Sequence, residues 1–522
     1  MSRTGGTSAW SRRRLLGTAL AAAAAVPLSA CASAGSPDGR LRVAFPTSGG
    51  KESLDPHTGE LFVDQARAKA LFDTLVAYAD DMSAVPRLAR SWRSDPTGTR
   101  WSIRLREARF HDGRPVTAED VLHSYRRIAD PATNSEAAKQ FQDVDFAASR
   151  AVSPTELELV LRKPNFEFPS AWGAPSSEIV PAGTTDFRAP IGSGPFRFES
   201  FEPGGVAKFA RFDGHWSGPA IPGGLDFVPI EEETARASAL MSGQVHYAHD
   251  LSANSAQLLD RDRRARVLTS ERGTMQAVAL KVDREPFDDP RVVRAILDGV
   301  DRQALVDVAL GGRGQLGNDL FGAGLEHYPP DLPQRRQNVA RARSLLRDAG
   351  AEGLAFELRT SAADPYFEPA ASLLAEQLSD IGVRASPRIG PSETYFSDIK
   401  DTGAAAQTRT ATLPITTFLE QRMRGSAGSN YTKFSSPEFD RLFDEALCTA
   451  DEADRARLLA DAQHIARDES GLLVWGFSDW NVGISAELRG VRAAPPNSLD
   501  WARFERARFE GARFEGTGAA PR

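Results

Sequence analysis

A few residue groupings in this 522-residue chain could carry covalent or metal chemistry, and each lacks a part. Ser48-Gly49-Gly50-Lys51 has the S-x-x-K spacing of a serine nucleophile paired with lysine. That pairing needs a helix to bring amine to hydroxyl, two glycines favour a loop, and the companion S-D-N and K-T-G segments are missing. His111-Asp112-Gly113 offers an imidazole and a carboxylate, but with no partner base or ligand it suits a turn. His246 and His249 are three apart, which on a helix would set both on one face toward a metal; no third ligand accompanies them. Gly192-Ser193-Gly194-Pro195 has the glycines of a phosphate cradle without the helix start a cradle needs, and reads as a chain crossing between lobes. No G-x-S-x-G or H-E-x-x-H occurs.

Composition narrows the rest. Hydrophobic residues make up 41% and charged residues 25%, ordinary globular usage that excludes a wholly disordered polymer. At roughly 100–200 residues per domain, the length predicts about three lobes. A formal charge of −7 argues against nucleic acid, whose binding depends on counterion release to a basic face. Two cysteines build neither a disulfide framework nor a Cys-rich metal module. Arg12-Arg13-Arg14 precedes an apolar stretch ending near Leu28, too short to span a bilayer and laid out like a Tat-type export signal. Leu28-Ser29-Ala30-Cys31 is similar to the lipobox of bacterial lipoproteins. Cys31 is thus the expected lipidation site, residues 1–30 the signal peptide and 31–40 a tether. Removing residues 1–30 takes away four arginines and no acid, so the charge falls from −7 to −11. An anchor on an anionic membrane must then be lipid and not a basic patch.

The elements that would position any site read as irregularly alternating strands and helices, an α/β pattern. Leu41 to Phe45, Trp101 to Leu105 and Leu157 to Leu161 alternate as strands. Leu71 to Tyr78 reads as a helix, and Thr117 to Asp120 as a capping box before another. Phe196, Phe198, Phe209 and Phe212 suggest a hairpin around Pro203-Gly204-Gly205. Asp289-Pro290, Asn338 and Ser436-Pro437 each open a helix, and Gly350 closes one. Cys448 lies beside the apolar stripe of the last and reads as an inert core thiol. At the C-terminus an Ala-Arg-Phe-Glu unit repeats every five residues from Ala502; three units cannot complete a solenoid coil, so 501–522 reads as a mobile tail, docking at most one Phe.

Several segments stand in an order that resembles a known family. They include Leu71-Phe72-Asp73-Thr74-Leu75, Val85 to Trp92, Phe110 to Val121, Ile191 to Phe196, Pro286 to Ile296, Ala342 to Gly350 and Asn430 to Asp440. The chain resembles the extracytoplasmic solute-binding proteins of ABC importers, in the family that binds peptides, nickel complexes and some sugars. The resemblance implies a periplasmic-binding-protein-like type II fold, with two hinged α/β lobes and a small domain inserted in the first. Residues 41–57, 190–277 and 484–500 would form the first lobe, 58–189 the inserted domain and 278–483 the second lobe. It also implies a non-enzymatic monomer without cofactor or metal. This protein would deliver a small, peptide-like or carboxylated solute to a permease with a cytoplasmic ATPase. A solute-binding fold recruited as a sensor and an exported hydrolase are the alternatives.

The pattern departs from the family at the ligand loop. Peptide-binding members carry an acid there that pairs with the peptide ammonium. The corresponding stretch here, 404–419, has no acid and no Trp, and adds Arg409. Arg409, Arg422 and Arg424 would favour a carboxylated solute, and ordinary di- and tripeptides are not expected to bind tightly. Asn430 and Tyr431 match family positions at the cleft. Trp475, Trp480 and His249 are further candidates for its wall, through stacking.

Overall fold

The computed structural model describes residues 39–510 except 48 and 60. Cys31, the export signal, most of the tether and residues 511–522 lie outside the described residues. No described helix is long and apolar enough to cross a membrane.

Among the described residues, eleven strands form one sheet that runs through both halves of the molecule. In the first half the strands Arg40–Phe45, Gly224–Pro229 and Tyr247–Leu251 are parallel. In the second half Ala355–Thr360, Arg384–Ile389 and Ala405–Ala411 are parallel. Two long antiparallel strands, Ala265–Leu280 and Leu472–Ser485, belong to both halves. Register fixes where the halves face each other. Leu251, at the end of its strand, stands opposite Asn481, which is itself opposite Thr269; Ala411, ending its own strand, stands opposite Thr274. The carboxyl ends of the two parallel sets therefore point at one another across Thr269–Thr274, at most about 16 Å of strand. The ladder shifts register between Ser270 and Thr274. Arg272 takes a left-handed φ of 57° there, and a Cβ on Gly273 would collide with Trp480.

Residues 75–179 build a core of their own around Trp101, Tyr125, Phe141 and Trp172, beside the four-stranded sheet of Ala89–Ser94, Arg100–Leu105, Glu156–Val160 and Arg150–Ser153, whereas Val63 to Phe72 and Val180 join the first-half core. Trp172 meets Trp92, Trp101 and Phe168 edge-on, the geometry that ring quadrupoles prefer. Local sequence signals place the helices. Thr117 donates its N–H and hydroxyl to Asp120 Oδ2, both at 2.7 Å, and Ala118–Ala129 follows. Asp289, Asn338 and Ser436 each accept a backbone N–H from the first turn of the helix they open.

Four expectations change. Leu71 to Tyr78 is not one helix: the helix is Phe62–Leu71, and Val76–Tyr78 is a strand. Neighbours take up the backbone beyond Leu71, with Gly194 N–H on Leu71 O at 2.9 Å and Ala89 N–H on Leu75 O at 2.9 Å. Gly192 to Pro195 does not cross to the second half. It packs on that helix end so closely that a Cβ at Gly192 would strike the Leu71 carbonyl, while His111 holds Gly192 N–H and Gly194 O. The tail docks through residue 510. Trp501, Phe504 and Ala507 are buried in the first-half core, and Arg508–Phe509 pairs with Leu488–Arg489. Phe504 and Phe509 find a partner in an existing core and need no solenoid. Cys448 is exposed, not core.

Candidate functional site

The loops that leave the facing strand ends form the site. In the first half Arg236 ties them together. Its guanidinium donates to the carbonyls of His249 (2.9 Å), Ile230 (3.0 Å), Glu231 (2.5 Å) and Asp250 (3.0 Å). Glu233 accepts from the N–H and hydroxyl of Ser252. Asp250 sits between these anchors with φ 49°. In the second half Asp364 follows the strand Ala355–Thr360. Its Oδ1 accepts from Tyr366 N and its Oδ2 from Arg409 Nη1 at 3.0 Å. The halves touch where Tyr366 Oη accepts from Ala253 N at 3.2 Å. Burial pushes the Asp250 carboxyl above its ordinary value, against the pull of Arg409 and Arg236. Burial disfavours the Arg409 cation too, but Asp364 and Asp250 outweigh it and hold the guanidinium protonated.

Beside this charged group lies an aromatic cluster. His249, Trp480, Trp501 and Phe62 lie with ring centroids 5.0–5.8 Å apart. Trp480 is 4% and Trp501 3% exposed, and His249 is fully buried, yet Trp480 Nε1, Trp501 Nε1 and His249 Nε2 have no hydrogen-bond partner among the described residues. Burial, with Arg236 nearby, holds His249 neutral. Trp101, Trp172 and Trp475 Nε1, in other cores, are unpaired among the described residues as well. Past the bulge a cavity of about 270 Å³ opens between the halves, lined by Asp80, Ser270, Arg272, Gly324, Thr412 and Pro495. Asn497 closes its flank by donating to Thr412 O at 2.7 Å.

A second seam joins segment 58–189 to the second half. Glu167 accepts from Arg455 Nε at 2.6 Å and from His327 Nε2 at 3.3 Å. Phe166 N–H meets Leu447 O, and Glu326 N–H meets Asp81 O. Burial opposes ionisation of Glu167, but His327 and Arg455 lower its pKa; burial likewise opposes the His327 cation, but Glu167 raises it.

The structure brings Arg409, His249 and Trp480 to the strand ends and scatters the other expected residues. Trp475 is fully buried in the second-half core and faces no cleft. Arg424 pairs with Glu420 and Asp444 on the wall of an outer cavity of about 520 Å³, away from the strand ends. Asn430 is spent on its own loop, donating to Phe434 O and Arg424 O. Arg422 lies over the Tyr431 ring at 5.0 Å. His246 and His249 share no face, because they lie along an extended chain at odd separation: His246 Nδ1 accepts from Arg42 N while His249 enters the aromatic cluster. No group of three metal-ligating side chains occurs among the described residues. Sequence reasoning missed Asp364, Tyr366, Asn497 and Trp501. Asp364 and Tyr366 carried one signal, a loop at the carboxyl end of a strand in a parallel set.

Comparison with known proteins agrees with this architecture. The model for bacterial extracellular solute-binding proteins, family 5 Middle, matches residues 83–418. The glutathione-binding protein GsiB of Escherichia coli (strain K12) is 24% identical over 440 residues, covering 80% of this chain and 85% of that protein. Among solved structures, the PBP AgaA from A. tumefaciens R10 in complex with agropinic acid is similar with a TM-score of 0.77. Its identity is 21%, and the match covers 91% of this chain and 99% of that one. NikZ from Campylobacter jejuni in complex with Ni(L-His) gives 0.77 at 18% identity, covering 90% and 99%. These relatives are binding proteins and not enzymes. The fold is the two-lobed periplasmic-binding-protein type, and the chain belongs to the family 5 extracellular solute-binding proteins that serve ABC importers.

Proposed function

We propose that the protein is a monomeric, lipid-anchored receptor outside the cell membrane that captures a small carboxylated solute between its lobes and hands it to an ABC permease. The lobes follow the division expected above, 41–57, 190–277 and 484–500 against 278–483 with an insertion in the first, but the first also takes the helix Phe62–Leu71 and residues 501–509. One observation carries the reading. Strand ends from the two halves converge, and Arg409 there commits only Nη1 to Asp364 while 31% of its side chain is exposed. A carboxylate would complete the guanidinium fork, and charge-assisted bonds of that kind are the strong ones. Closure follows as a hinge motion, shifted by the solute's differential affinity for the closed form. The Cys31 anchor holds the receptor at high effective concentration near the permease.

Native mass spectrometry of the protein from its own host tests the capture. A co-purified carboxylic acid, seen as added mass, is the expected result. Protein free of solute, with no acid in a broad panel raising its melting temperature, would sink the reading. Anchoring is tested separately: Cys31→Ala should move the protein from the membrane to the soluble fraction, and retention in the membrane fraction would refute lipidation at that residue.

A further inference from the structure

We propose that residues 493–501 form a strap that braces the hinge, anchored from beneath by Lys69 and joined to the second half by Asn497, and that this strap sets the balance between open and closed lobes. The proposal rests on the hinge closure of the solute-receptor reading and on no particular solute.

Three observations carry it. First, polar bonds hold the strap to the first half above a void. Lys69 Nζ donates to Ser498 O at 2.6 Å and to Trp501 O at 2.9 Å, and lies 5.2 Å from the centre of the Trp501 ring. Leu499 N donates to Tyr78 O at 2.6 Å. Under these bonds is a cavity of about 60 Å³ lined by Lys69, Phe72, Glu178, Asn497, Leu499 and Trp501. Second, the ammonium is held there against its own desolvation. Among the described residues its hydrogen bonds all go to strap carbonyls and none to a carboxylate. Burial, with Arg87 and Arg503 nearby, lowers its pKa to about 7, while Glu505 and Asp500 pull the other way. A cation buried without an acid partner is costly, and the carbonyls are what compensate it.

Third, the strap reaches the hinge itself. Pro495 and Pro496 stiffen its approach by fixing φ. Asn497 then takes a left-handed φ of 69°, a conformation asparagine accepts more readily than most residues. Its Nδ2 donates to Thr412 O at 2.7 Å, the strap's only hydrogen bond to the second half among the described residues. Thr412 in turn donates its N–H at 3.2 Å and its hydroxyl at 3.0 Å to Gly273 O, where the long strand shifts register. Lys69, strap, Thr412 and bulge thus form one chain of bonds, and rotation of the second half at the bulge strains its link at Asn497. The halves touch in this structure through Tyr366 and Ala253, so the intact chain belongs to the closed form. A bond made in one form only shifts the balance toward that form. Lys69 is a positioning residue in this scheme: it acts through the strap and not on the solute.

The test takes the whole lipid-free protein, dialysed free of small solutes, and reads two quantities. Small-angle scattering gives the ratio of open to closed form, and hydrogen exchange by mass spectrometry follows the amides of 493–501. Asn497→Asp keeps the size of the side chain but cannot donate to Thr412 O. It should raise the open-to-closed ratio roughly two- to tenfold, the range of one net hydrogen bond, and leave exchange at Leu499 and Trp501 unchanged. Lys69→Met keeps the apolar stem and removes the anchor. It should raise the ratio by a similar factor and speed exchange at those two amides roughly tenfold or more, the range of a bond to a charged group. The double variant should open no further than Lys69→Met alone, because both act through one strap. Circular dichroism checks folding; should Lys69→Met not fold, Asn497→Asp decides alone. An unchanged ratio in Asn497→Asp, or effects that multiply in the double variant, overturns the brace and leaves hinge closure intact. A single shape in the wild type and every variant removes hinge closure and the brace with it.

Discussion

The two seams of the molecule make a useful contrast. At the outer seam Glu167 meets Arg455 and His327 with 8–13% of each side chain exposed, and every charge has its partner within the chain. At the inner seam, among the described residues, the Asp250 carboxylate has no hydrogen bond or ion pair, Arg409 uses one nitrogen, and the ring nitrogens Trp480 Nε1, Trp501 Nε1 and His249 Nε2 are unpaired. The outer contact is complete without a solute; the inner one is not. This division suits a receptor whose lobes meet by themselves but hold firmly only around the right molecule, because unpaired buried polar groups penalise an empty closed cleft.

Breaking the outer seam should have the largest effect. Glu167→Ala leaves Arg455 and His327 buried without their carboxylate, and loss of one partner from a buried pair costs about 3–5 kcal/mol. Denaturant titration should show that loss, and small-angle scattering should show a larger radius of gyration; an unchanged midpoint would mean that the seam carries no energy. At the flank of the inner cavity, Asn497→Ala removes a single bond to Thr412 O, so a loss of about 0.5–1.5 kcal/mol is expected in thermal unfolding.

Acidity should sharpen the contrast. His327 is raised from 6.5, so its contribution is full below 6.5 and fades as pH rises through the higher value it has in the folded protein. Glu167 is lowered from 4.5, so its share is full above 4.5 and fades as pH falls through the lower folded value. Glu326, Arg455 and Asp81 also face this contact and set its background. The outer seam should therefore be tightest between about pH 4.5 and 6.5. A fluorescence distance measured between 58–189 and the second half should lengthen above that window in the wild type and be flat there in His327→Gln; equal profiles would dismiss the histidine. The smallest effect should come from Arg422→Gln, which removes a cation over Tyr431 of about 0.5–1 kcal/mol and should leave solute retention within twofold.

Legibility in the sequence followed distance along the chain. Helix starts at Thr117, Asp289, Asn338 and Ser436 were readable because cap and acceptor lie within three residues. The family segments were readable for the same reason, each being a short run. Trp475 and Trp480 show where this fails. They are five residues apart on one strand, yet Trp475 lies in the second-half core and Trp480 in that of the first, because Leu472–Ser485 passes through both. The histidine pair, already short of a third ligand, also loses its shared face, because a spacing of three means one face on a helix and opposite faces on a strand.

The sequence by itself determined the α/β class, the family and the capped helix starts, since those rest on local propensity, capping and short motifs. Only the tertiary structure decided the site. Arg409 meets Asp364 across 45 positions, Asn497 meets Thr412 across 85, and Trp501 meets Phe62 across most of the chain. Such contacts are set by strand register and by which ends of two parallel sets face each other, and no local pattern encodes either.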